Sequence, residues 1–217
     1  MKPAPMIAAG AMLAYAGWML YQDSQDTSQS ADVVDGLDFS SATQGTATFF
    51  DSLTGGILKL SDMAKVTTAH VANGNMQAFL RVIRAGEGTS DAAGYSRIFG
   101  GQTFSSFADH PRIKVTKNGY TSTAAGAYQA LSSTWDETRR VMGLRDFSPA
   151  SQDLFAVGRI AARGALDDVM AGRFEKAIKK VANEWASMPF SPYGQPTISL
   201  SKAEGIYTDN GGYVATA

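Results

Sequence analysis

A stripe of apolar residues that ends on an acid constrains this chain more than any other feature. Met76, Phe79, Leu80 and Ile83 are spaced i, i+3, i+4, i+7, which predicts one face of an amphipathic helix. Glu87 continues that face, inside Arg84-Ala85-Gly86-Glu87-Gly88-Thr89. A carboxyl on a buried face loses solvation, and that disfavours its charged form. The partial negative charge of a helix C-terminus acts in the same direction. Both effects hold a proton on Glu87 near neutral pH, as a general acid requires. A second reading fits the same residues: an exposed, solvated glutamate at a frayed helix end.

The chain has 217 residues and a formal net charge of −1. That length suits one domain with extensions and a substantial core. The near-neutral balance gives no electrostatic ground for nucleic-acid binding. Without cysteine there is no disulfide, no thiolate chemistry and no Cys-based metal site. His70 and His110 are too few for a His-rich zinc site, so neither metal nor cofactor is expected.

Residues 6–21 carry no charge, Lys2 precedes them, and no Lys or Arg follows until Lys59. With Pro3 to Pro5 the run approaches the ~20 residues of a spanning helix. Lys2 favours a cytoplasmic N-terminus, and Tyr15, Trp18 and Tyr21 suit the outer interface. The segment is rich in Ala and Gly, so two rivals stand beside a membrane helix over 1–21. Ala14-Tyr15-Ala16 resembles a signal-peptide cleavage site, and the run also suits a helix buried in an assembly. Residues 22–74 read as a polar linker followed by an apolar docking segment, with a further helix over 61–72.

Asn75 is the expected cap of the Glu87 helix. Tyr95 to Phe99, Gly100-Gly101 and Gln102 to Phe104 predict a hairpin, and Asn118-Gly119 marks a second turn. Helices follow. Thr134-x-x-Glu137 has the form of a capping box and Gly143 closes that helix. Ser148-Pro149 opens the next, and Gly164 ends it. Two more are expected over 165–171 and 173–187. The layout is α+β: a mostly helical domain over 75–205 with a small β-hairpin element, then a loose tail over 206–217.

These stretches resemble the lambda-phage lysozyme (endolysin) family of lytic transglycosylases. Gly86-Glu87-Gly88-Thr89 looks like its catalytic S-E-G-T. Gly94-Tyr95 with Gly100-Gly101, Asp109-His110-Pro111-Arg112, and Ser122 to Gln129 follow in register. So do Gly143 to Pro149, Arg163 to Leu166, Trp185 to Pro189 and Tyr193-Gly194-Gln195. The match covers roughly 75–200, leaves 1–74 uncovered and implies a lysozyme-like fold, which the membrane-type helix read from residues 6–21 would precede.

The resemblance implies that Glu87 is the sole catalytic acid, acting between N-acetylmuramic acid (MurNAc) and N-acetylglucosamine (GlcNAc) in peptidoglycan. It would protonate the glycosidic oxygen, then take the proton of the sugar's C6 hydroxyl as a 1,6-anhydro ring closes. It also implies that Tyr128, Gln129, Ser122, Tyr193 and Gln195 line the sugar groove. A Tyr ring can stack on a sugar and a Gln amide can pair with an acetamido group. Tyr128 also fits a core position, and Tyr193 to Gln195 also fit a plain connection. Asp91 reads as solvated, Asp109 as a turn cap, His110 as structural and Trp185 as core. Ala93 and Ser96 stand where the lambda protein has His and Asp, and the chain is several residues shorter before Gly94. The groove lip therefore differs.

The expected partners are glycan strands, a membrane through residues 6–21 and other virion proteins through 22–74. The expected location is the phage virion or the host inner membrane, with the catalytic domain facing the periplasm. A muramidase that hydrolyses the same bond and a wall-binding protein without turnover are the rival readings.

Overall fold

The computed structural model describes residues 59–117, 120–193 and 196–216. Among them no helix is long and apolar enough to cross a membrane, and residues 6–21 lie outside the described residues. The N-terminal membrane helix is therefore without structural support.

Two short helices, α1 (Leu60–Met63) and α2 (Thr68–Ala72), open the described chain. They are part of the domain rather than a linker. Met63 is fully buried, and the Lys59 amide donates to the Ala162 carbonyl at 2.8 Å. The central helix α3 spans Gly74–Glu87 and buries Met76, Ala78, Phe79, Leu80, Val82 and Ile83, a wider face than the stripe predicts. Its cap is Asn73, which accepts from the Met76 amide at 3.1 Å, and not Asn75. The Asn75 amide is used elsewhere. It donates to the Met170 carbonyl at 3.1 Å and accepts from the Tyr213 amide at 2.8 Å.

A 3-10 turn (Gly94–Ser96) and an antiparallel pair, β1 (Val115–Lys117) with β2 (Tyr120–Ser122), follow. The sheet thus forms at the second turn signal. The segment expected as a hairpin, 95–104, makes a narrow loop with a single bridge, Arg97 to Thr103. Its ladder is diverted, because Phe99 donates to Ala124 and Gly126 donates back to Arg97.

Helices α4 (Ser132–Met142), α5 (Pro149–Ala162), α6 (Leu166–Met170), α7 (Phe174–Val181) and α8 (Leu200–Asp209) complete the domain. Gly143 closes α4 in the left-handed region, and Ser148 caps α5, as the sequence predicts. The capping box does not form. Helix α4 starts at Ser132 without a side-chain cap, and Glu137 pairs with Arg159 instead. Helix α7 stops at Val181, short of 187, because Glu184 and Trp185 turn inward to partners described below. The expected loose tail is also corrected. Tyr207 is fully buried on α8, with Phe79 and Phe174 packed against its ring. A buried aromatic of this size contributes roughly 1.5–3 kcal/mol of apolar transfer, enough to hold the C-terminus down.

Candidate active site

Glu87 is the last residue of α3, and the turn after it is over-determined. Gly88 takes φ 70°, and the Thr89 amide closes back on the Arg84 carbonyl at 2.9 Å, a Schellman closure. Thr89 is buried, and its hydroxyl donates to the Ala127 carbonyl at 2.6 Å. Its own carbonyl accepts from Arg84 Nε at 3.2 Å and Nη2 at 2.9 Å. The Arg84 guanidinium lies 4.6 Å from the centre of the Tyr95 ring. Gly94 makes this possible, since a Cβ there would stand 1.9 Å from the Thr89 carbonyl oxygen.

The Glu87 side chain is half-buried, less enclosed than its place on the apolar stripe predicts. The Ser187 hydroxyl donates to its Oε1 at 2.6 Å. Gly86 permits this approach, because a Cβ there would fall 2.6 Å from Ser187 Oγ and 2.3 Å from Met188 Cε.

The segment carrying Ser187 is anchored by charge and by an indole. Glu184, 8 % exposed, accepts from Arg159 at 2.6 Å and from Arg163 at 2.8 Å. Arg159 also reaches Glu137 at 2.7 Å. Burial pushes the Glu184 carboxyl up, but the Arg159 and Arg163 guanidiniums outweigh it and hold the group below its ordinary value. The Trp185 indole donates to the Tyr128 carbonyl at 3.2 Å, and the Ile198 amide to the Ser187 carbonyl at 3.0 Å.

The residues expected to line the groove are mostly used inside the fold. Tyr128 is 2 % exposed and its hydroxyl donates to Asp153 at 2.6 Å, so its ring faces the core and is closed to a sugar. Tyr95 donates to the same carboxylate oxygen at 2.8 Å. Gln129 sits at φ 47°, buried, with its amide donating to the Gly126 carbonyl at 2.9 Å. Ser122 is buried and accepts from the Ala124 amide at 3.1 Å. Tyr193 stays partly exposed, and its hydroxyl donates to the Asn183 carbonyl at 3.1 Å. Gln195 lies outside the described residues. Ser187, Arg84 and Asp153 were not singled out by sequence reasoning. Ser187 does fall inside the Trp185 to Pro189 motif.

Asp91, read above as solvated, is exposed but ion-paired with Arg97, which holds its carboxyl below the ordinary range. Asp109 accepts from the His110 amide at 2.8 Å, the Trp135 indole at 3.0 Å and Arg139 at 2.8 Å. Burial works against its charge, but these donors prevail and bring it to about 2.

His110 is structural. Its Nε2 donates to the Ala130 carbonyl at 2.9 Å and its Nδ1 accepts from the Arg112 amide at 3.1 Å. Burial lowers its pKa to about 4. The fold thus favours neutral His110, while the unfolded chain takes up the proton near pH 6.5. That stabilisation is complete above 6.5 and is lost as pH falls towards 4, in total ~3 kcal/mol. Denaturant melts from pH 7.5 to 4 are expected to show this loss, and His110→Gln should flatten it. An unchanged slope in the variant would contradict the assignment.

The same arrangement of helices occurs in solved structures of bacteriophage lambda lysozyme. One, complexed with a chitohexasaccharide, superposes with a TM-score of 0.63 at 39 % identity, covering 66 % of this chain and 97 % of that one. Another structure of the lambda enzyme gives 0.59 at the same identity and coverage. The domain is that of a lysozyme-like, peptidoglycan-degrading enzyme. The endolysin of Escherichia phage lambda is 44 % identical over 130 residues, 57 % of this chain and 82 % of the relative. That of Escherichia phage P2 is 40 % identical over 157 residues, 65 % and 95 %. The Endolysin family model matches residues 77–214, and the chain belongs to that family.

Proposed function

We propose that this endolysin is a lytic transglycosylase that cleaves the β-1,4 bond between MurNAc and GlcNAc, with Glu87 as its only catalytic acid. Glu87 gives its proton to the glycosidic oxygen as the bond from that oxygen to C1 of MurNAc breaks. The C6 hydroxyl oxygen of the same MurNAc then bonds to C1, and its proton passes to the Glu87 carboxylate. A 1,6-anhydro ring closes, the acid is regenerated and no water is consumed.

The observation that carries this reading is the engagement of the other candidate acids. A hydrolase acting through two carboxylates needs the second as base or nucleophile. Here Asp91 is paired with Arg97, and Asp109 takes hydrogen bonds from His110, Trp135 and Arg139. The glycan held by the related lambda lysozyme supports a polysaccharide substrate. A reducing-sugar assay on solubilised wall tests the reading. Solubilisation without new reducing ends is expected, and a rise in proportion to the bonds cut would contradict it.

Residues 1–58 are proposed to tether the enzyme to a membrane or a phage particle, with the domain facing the wall. The uncharged run 6–21 motivates this. Intact mass from purified membranes or particles should show the full chain. A mass beginning at Gly17 would mean that the run is a cleaved signal.

A further inference from the structure

We infer that Ser187 is a positioning residue for the catalytic carboxyl, fixing Oε1 as a hydrogen-bond acceptor so that the transferable proton resides on Oε2. The inference rests on the assignment of Glu87 as the acid. Its geometric basis is the 2.6 Å hydrogen bond from Ser187 Oγ to Glu87 Oε1.

Three independent features hold the serine at that distance. Gly86 has no Cβ to keep it away. The buried Glu184, clamped by Arg159 and Arg163, fixes the chain three residues before it. The Trp185 indole on the Tyr128 carbonyl and the Ile198 amide on the Ser187 carbonyl fix the backbone around it. A serine hydroxyl on a frayed loop would wander through its rotamers, whereas this one is delivered by a braced segment.

A carboxyl at a helix end turns freely about its last torsion, and each turn exchanges the oxygen that faces the scissile bond. A hydroxyl donor on one oxygen removes that ambiguity, because the acidic hydrogen and the donated one cannot share a direction. After proton transfer the same hydroxyl stabilises the carboxylate, since a donor favours the charged form. Ser187 therefore serves both halves of the cycle: orientation of the acid, then support of the anion that accepts the C6 hydroxyl proton.

The test compares wild type, Ser187→Ala, Ser187→Thr and Glu87→Gln on purified peptidoglycan, with thermal melts of each. Ser187→Ala should lower kcat about tenfold, the effect of one lost hydrogen bond near 1.4 kcal/mol, with KM nearly unchanged. Its alkaline limb should also move to higher pH, because the acid holds its proton longer without the donor. Ser187→Thr, which keeps the hydroxyl, should recover both kcat and the limb. If Ser187→Ala keeps the wild-type kcat and limb while Glu87→Gln is inactive, the positioning role is overturned and the catalytic assignment stands. A loss of kcat with an unmoved limb and no recovery in Ser187→Thr would make the serine merely structural and also overturn it. Activity in Glu87→Gln would overturn the catalytic assignment and this inference with it.

Discussion

Glu87→Gln should lower the rate of wall clearing by about 10²–10⁴-fold, the range that a general acid contributes. The amide has nearly the same shape but no proton to give. The melting temperature should stay where it is, because Glu87 is half-buried and the turn after it is held by Arg84, Thr89 and Gly94 rather than by its side chain. Turbidity of a wall suspension and a thermal melt on the same preparation read the two properties separately. Substantial turnover with an unchanged melt would remove Glu87 from the mechanism.

Glu184→Gln is expected to lower stability severely. It leaves Arg159 and Arg163 buried beside an amide, with Arg159 keeping its contact to Glu137. Removing one member of a buried ion pair costs about 3–5 kcal/mol, because the charge left behind has lost its compensation. At roughly 2–4 °C per kcal/mol for a domain of this size, the melting temperature should fall by about 6–20 °C. Calorimetry on the full chain measures it. A fall of only a degree would mean that water already reaches the cluster. The loss should also reach activity below the melting range, since Glu184 braces the segment that carries Ser187 to Glu87.

What the sequence made legible was local. The stripe from Met76 to Ile83 predicted α3, Gly143 the end of α4, and Ser148-Pro149 the start of α5, because each signal acts within one turn of chain. The place of Glu87 at the end of that first helix was legible for the same reason. What was hidden came from contacts across the chain. Asn73 and Asn75 are equally good caps by composition. The choice between them is made by Met170 and Tyr213, far away in sequence, which claim the Asn75 amide.

Tyr128 has the chemistry of a sugar platform, yet the Asp153 carboxylate on α5 draws its hydroxyl into the core. Ser187 meets Glu87 across the whole domain, and no local spacing announces it. The supposed tail misled by its polar, Gly-rich composition, while the buried ring of Tyr207 ties α8 to the aromatic cluster of α3 and α7. The capping box failed because Glu137 answers a buried arginine more strongly than it answers its own helix end.

The most direct measurement of the central claim is the mass of the glycan ends released when the enzyme digests purified peptidoglycan. Single-acid transglycosylation predicts muropeptides that terminate in 1,6-anhydro-MurNAc, one water lighter than the hydrolytic product and inert to borohydride. Muropeptides ending mainly in reducible MurNAc would contradict it, and would require a second carboxylate, with Asp91 released from Arg97, to activate water.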